Sequence, residues 1–140
     1  MKILAIFLFV LPLFVSAQSI TGKWVTIDDG TGEKKSIVEI YERDGKIFGK
    51  VLKIFPGEGV HTDPVCKDCP EDDERYNRKV IGMEIIKDME KDGDEYTSGT
   101  ILDPKIGRVY RCRLWVEDND LNVRGYWGPF FRTQVWKRAQ

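Results

Sequence analysis

The chain has 140 residues, with 22 basic and 23 acidic side chains and a formal net charge of −1. That length suits one domain with a single core. The near-balance of charge offers no basic stripe, which excludes nucleic acid as the expected partner.

The first residues read as an export signal. Lys2 supplies a positive n-region, and Ile3 to Val15 run almost unbroken as apolar residues, with Pro12 inside. Val15-Ser16-Ala17 places small side chains where signal peptidase reads them, so cleavage is expected to leave Gln18 as the first residue. A transmembrane anchor needs about 20 apolar residues, and this run is too short. No cysteine follows the cleavage site to carry a bacterial lipid anchor. The sequence therefore predicts a removed signal over residues 1–17 and one soluble domain over residues 18–140. Its expected compartment is the periplasm or the extracellular medium, and no second segment approaches membrane length.

The rest alternates strand patterns with turn signals. Gly22 to Ile27 is a β-rich run that ends at Asp28-Asp29-Gly30-Thr31-Gly32. Ser36 to Arg43 and Lys46 to Phe55 flank Asp44-Gly45, a strong hairpin signal. A long polar segment follows from Pro56 to Lys79, carrying Cys66, Cys69 and the acidic run Glu71 to Glu74. Val80 to Glu90 and Asp94 to Leu102 flank Asp92-Gly93. Asp103-Pro104-Lys105-Ile106-Gly107 is a turn in which proline presets φ and glycine takes the left-handed position. Arg108 to Val116, Leu121 to Tyr126 and Arg132 to Arg138 complete eight strands. Short strands joined by successive hairpins predict an all-β, antiparallel up-and-down barrel, which has no exposed edge.

The turns also fix registers. Asp44-Gly45 pairs Arg43 with Lys46, and so Glu39 with Lys50 and Val38 with Val51, all favourable cross-strand matches. Val116 closing against Leu121 sets Leu114 opposite Val123 and Cys112 opposite Gly125, an apolar face. The other face then holds Arg113 opposite Arg124 and Trp115 opposite Asn122. The Asp103–Gly107 turn puts Thr97 opposite Arg113, with Glu95 diagonal to it.

Two sets of residues carry a family resemblance. Gly22-Lys23-Trp24 resembles the Gly-x-Trp entry of calycin barrels such as lipocalins and avidins. The resemblance implies that an arginine near the last strand, Arg138, packs over Trp24 as a structural closure with Gly22. More extensively, Gly22 to Asp28, Ser36 to Tyr41, Asp44 to Lys50, Cys66-Lys67-Asp68-Cys69, Gly99 to Pro104, Tyr110 to Trp115 and Val123 to Tyr126 resemble the bacterial domain of unknown function 2147 family. Phe131-Arg132-Thr133-Gln134-Val135-Trp136 departs from that family's Gly-Arg-Thr-x-x-Trp pattern only at the glycine. The resemblance implies an exported lipocalin-like barrel and no particular activity.

Three readings compete for the cysteines. A redox pair needs its first cysteine at a helix N-terminus, and no helix follows Cys66. Zinc needs four ligands, which Cys66, Cys69, Cys112 and His61 would have to supply. A structural disulfide is simplest in an oxidising compartment, with Cys66–Cys69 preferred to a bridge with Cys112 because Cys112 lies on the apolar face. Arg113 beside Arg124 poses a second question, since like charges directly opposite destabilise a sheet. Either the pair lies on an outer face balanced by Glu95, or it faces inward and holds a carboxylate or phosphate head group. Tyr126 and Trp127 begin an apolar cluster through Phe131 that either rims a barrel mouth or is buried under the long loop.

No catalytic constellation is present in the sequence. His61 has no nearby nucleophile, there is no Gly-x-Ser-x-Gly, and Glu71 to Glu74 lacks the spacing of a calcium loop. The expectation is a non-enzymatic barrel without cofactor or metal that binds a small apolar or anionic amphiphilic ligand. The alternative is a structural or protein-interaction module of the cell envelope whose barrel is filled by side chains. An eight-stranded barrel permits either.

Overall fold

The computed structural model describes residues 8–13 and 18–140. Most of the apolar run and the expected cleavage site after Ala17 lie outside the described residues. The described residues form eight strands: β1 (Gly22–Ile27), β2 (Lys34–Arg43), β3 (Lys46–Ile54), β4 (Glu84–Asp92), β5 (Glu95–Asp103), β6 (Arg108–Glu117), β7 (Asp120–Trp127) and β8 (Phe130–Arg138). Each pairs antiparallel with the next, and β1 pairs with β8 to close the barrel.

The registers set by the turns are those observed. Arg43 faces Lys46, Glu39 faces Lys50 and Val38 faces Val51 across the first hairpin. Cys112 faces Gly125, Arg113 faces Arg124 and Leu114 faces Val123 across β6–β7. Two expectations need correction. Thr97 is not the sole partner of Arg113, because a bulge between Tyr96 and Gly99, with Ser98 at φ 66°, sets Thr97 and Ser98 together against it. The fourth strand begins at Glu84 rather than Val80. Val80 and Met83 are buried and apolar, as strand residues would be, but Gly82 takes a positive φ and donates its N–H to Val51 O, turning the chain into the strand.

The barrel has two ends. The β2–β3, β4–β5 and β6–β7 turns lie at one, which the chain before β1 also covers. Here the core is solid: Trp24, Ile40, Leu114, Leu121 and Met89 are all at most 1% exposed. Trp24 Nε1 donates to Ile20 O at 2.9 Å, holding the buried Ile20 against the barrel. The Arg138 guanidinium stacks 3.9 Å from the Trp24 ring and donates to Thr21 O at 2.9 Å and Ser19 O at 2.8 Å. Gly22 makes this possible. Its φ is +121°, and a Cβ there would lie 3.1 Å from Arg138 Nη1. Gly22, Trp24 and Arg138 thus tie the first strand, the last strand and the preceding segment together.

The long β3–β4 connection packs against the barrel instead of hanging free. Arg75, 7% exposed, grips Asp73 with Nε at 2.9 Å and Nη2 at 2.8 Å, and donates from Nη1 to Glu84 O at 3.0 Å. Cys66 and Cys69 form a disulfide within this segment, a short loop closure that adds about 2 kcal/mol in the chain-entropy account. Its backbone presses on the β5–β6 turn. Gly107, at φ +70°, lies so close to Asp68 that a Cβ would sit 1.6 Å from the Asp68 carbonyl oxygen, a position no other residue can fill.

Candidate functional site

The other end of the barrel is open. The β1–β2 loop, the long connection, the β5–β6 turn and the β7–β8 turn surround a cavity of about 1070 Å³, just above the range of about 300–1,000 Å³ usual for sites that hold one drug-sized molecule. Strand alternation determines its wall. Trp24 points inward, so Thr26 two residues on does too, facing Ser36 across the β1–β2 ladder. Trp136 is buried, so Gln134 and Arg132 share its side of β8. Val51, Ile54, Ile101, Tyr110 and Val123 supply the apolar wall. Gly125 leaves room for the Tyr110 ring, since a Cβ there would meet Tyr110 Cβ at 3.3 Å.

Polarity is graded along this cavity. The polar groups next to Trp24 and Trp136 in the strands are neutral: Thr26 Oγ1 and Ser36 Oγ are 2.7 Å apart, and Trp136 Nε1 donates to Gln134 Oε1 at 3.0 Å. Charged groups sit at the mouth. Arg132 is held by Asp29, with Nε donating to Oδ2 at 2.6 Å and Nη2 to Oδ1. The Arg132 guanidinium keeps the Asp29 carboxyl below the usual carboxylate range, and Asp29 raises Arg132 in turn. Asp28 is also lowered, chiefly by the Thr31 N–H and then by that of Gly30, which fix the loop beside the mouth. Lys35, Lys67 and Lys105 complete the basic groups of the rim.

The residues singled out in the sequence divide between the two faces. Arg113 and Arg124 lie outside the cavity, which corrects the inward reading of this pair. They alternate with Cys112, Leu114 and Val123, whose side chains fill the barrel. Arg113 Nε lies 3.4 Å from Glu95 Oε2, and Arg124 Nε donates to Thr133 Oγ1 at 2.7 Å. Arg124 also stacks on Trp115 and Phe131, at 5.0 and 4.6 Å from the ring centroids. Tyr126 is on the outer face as well, 6.1 Å from the Phe131 ring. Trp127 is at the cavity rim, edge-on to Tyr110 at 5.9 Å. The arginine that does line the cavity is Arg132. Period-two counting back from Trp136 finds it, together with Gln134.

Cys112 is buried, and burial pushes its thiol up to about 12, so it packs as an apolar group rather than a nucleophile. Among the described residues no group of three His, Cys, Asp or Glu side chains is arranged to hold a metal ion. His61 lines the mouth, where its Nδ1 accepts the Asp63 N–H at 3.3 Å.

No curated protein matches this sequence. A solved structure from the human pathogen Helicobacter pylori, described as a protein that belongs to the lipocalin family, is similar to it. That likeness has a TM-score of 0.72 at 24% identity and covers 87% of this chain and 84% of the other, which establishes a shared lipocalin-like barrel. The model of the family described as "uncharacterized protein conserved in bacteria (DUF2147)" matches residues 22–138, from the glycine that admits Arg138 to Arg138 itself, and the chain belongs to that family.

Proposed function

We propose that this is an exported, non-enzymatic barrel that carries one small apolar or amphiphilic molecule in its open half. The observation that carries the reading is the cavity: about 1070 Å³, walled by Val51, Ile54, Ile101, Val123 and Trp136. Apolar walls with a few polar groups are the usual chemistry of small-molecule sites. A tail within the apolar wall and a polar or anionic head at Arg132 and the rim lysines would match the polarity gradient. The filled-barrel alternative fits the closed half, where Trp24 and Leu114 leave no space, but not the open one. The buried, protonated Cys112 and the rim position of His61 favour binding over catalysis. Export rests on the apolar run ahead of residue 18.

Native mass spectrometry of protein purified from its export compartment tests this reading. A bound mass at one per chain, released by organic solvent, is the expected result. Bare polypeptide that also fails to take up any apolar or amphiphilic probe would overturn it.

A further inference from the structure

We propose that the aromatic lip of the open end docks the protein, cavity mouth first, on an anionic lipid bilayer. Trp127 is 51% exposed, Phe130 74% and Phe131 62%, and all three stand on the tight β7–β8 turn. Ile106, 51% exposed, stands on the β5–β6 turn beside them. Contiguous exposed rings of this size on a folded chain mark an interaction surface. These rings are also the rim of the cavity.

Charge selects the occupant. Residues 103–111 and 124–132, which form this lip, hold one acid, Asp103, against five bases. Adding Asp29, which pairs with Arg132, leaves a local balance of +3. The turns at the opposite end of the same strands, residues 91–95 and 117–120, hold six acids against Lys91 alone. This side of the mouth therefore combines its exposed aromatics with positive charge, while the turns at the opposite end of the same strands are acidic; Asp28, Asp63 and Asp68, which also line the mouth, lie away from the lip on the β1–β2 loop and the long connection. Near an anionic surface, that arrangement turns the basic lip toward it.

The local chemistry suits a lipid interface. Arg108 stacks 4.3 Å from the Trp127 ring and Arg111 lies 5.7 Å from the Tyr126 ring. Aromatic rings favour the headgroup level, and adjacent guanidinium groups pair with phosphates there. A second copy is the poorer occupant, since two such lips facing each other would bring like charges together. Docking does not require a filled cavity, so this inference stands or falls separately from the ligand reading.

The test is co-sedimentation of the exported, processed protein with vesicles of phosphatidylcholine alone or mixed with phosphatidylglycerol. Binding is expected to the anionic vesicles, to weaken with salt, and to shift tryptophan emission to shorter wavelength. Phe130→Ser with Phe131→Ser is expected to reduce partitioning by about tenfold or more. Arg108→Gln with Arg111→Gln should remove the preference for anionic vesicles while leaving uptake of a soluble fluorescent amphiphile, measured without vesicles, unchanged. Absence of vesicle binding, equal binding to both vesicle types, or partitioning indifferent to the Phe130 and Phe131 changes would overturn the proposal. So would a dimer in sedimentation that the same double change dissolves, which would assign the lip to self-association.

Discussion

The two halves of this barrel come from the same eight strands but use their inward positions differently. In the closed half, Trp24, Ile40, Met89, Leu114 and Leu121 meet at the axis, and Arg138 seals the end against Thr21 and Ser19. In the open half, the same inward rows carry Thr26, Ser36, Tyr110, Val123, Gly125 and Gln134, and a cavity remains. Side-chain volume at a few inward positions thus separates a packed core from an open cavity. The closed half gives the fold its stability, which lets the open half leave apolar surface unfilled.

Truncation should expose the difference most strongly. Leu114→Ala removes a fully buried side chain from the packed half and is expected to cost about 3–5 kcal/mol. Ile54→Ala, on the cavity wall, is expected to cost only about 1 kcal/mol, because the space it leaves merges with one already present. Urea midpoints of the two variants give the comparison. Equal losses would mean that the open half is as tightly packed as the closed one.

Arg138→Ala addresses the seal. It loses the stack on Trp24 and leaves two carbonyls without their donor, with an expected cost of about 1–3 kcal/mol. An unchanged denaturation midpoint would show that the closure contributes nothing.

A smaller effect should come from the loop that covers the barrel side. Arg75 lowers the Asp73 carboxyl to about 2 from 3.8. A folded-state value below the unfolded one adds stability that is complete above about pH 4 and disappears as pH falls through about 2. Discounted for the water that still reaches Asp73, the gain is about 1–2 kcal/mol. Asp73→Asn should therefore lower stability near neutral pH and flatten its decline between about pH 4 and 2. Identical pH profiles for the two proteins would remove Asp73 from the account.

Arg113→Gln with Arg124→Gln should matter least. Arg113 and Glu95 are each about 40% exposed in their side chains, at 42% and 40%, and such ion pairs are worth about 0–1 kcal/mol. Relief of the Arg113–Arg124 repulsion offsets part of that. Since both lie outside the cavity, ligand uptake should not change. Loss of uptake in this variant would return the outer face to consideration.

Much of this was legible in the sequence because turn chemistry is local. Asp44-Gly45 and the closure of Val116 on Leu121 each determine a register several residues away, and those registers are observed. The bulge at Ser98 is only faintly legible, since Gly99 inside the strand permits a bulge without telling where the extra residue falls. Val80 reads as strand for a related reason: a buried apolar residue in an irregular connection has the composition of a strand. The site was less accessible. Alternation assigns Arg113 and Arg124 to the face opposite Cys112 and Leu114, but only barrel closure decides that the apolar face is the interior. Arg132 sits beside the large aromatics of its own turn, and only its shared side of β8 with Trp136 marks it as a cavity residue. The depth of the cavity depends on how several small inward residues meet across the barrel, which no single strand records.

The central claim is that the open half holds a ligand and the closed half does not. Titration of the protein with a fluorescent fatty-acid analogue, alongside an Ile54→Trp variant that fills the cavity wall, tests it most directly. The account predicts saturable binding near one molecule per chain for the unmodified protein. It predicts at least about tenfold weaker binding for Ile54→Trp, with the denaturation midpoint nearly unchanged because the new ring occupies open space. Equal affinity in both proteins, or no binding by either this analogue or its uncharged alcohol counterpart, would contradict it.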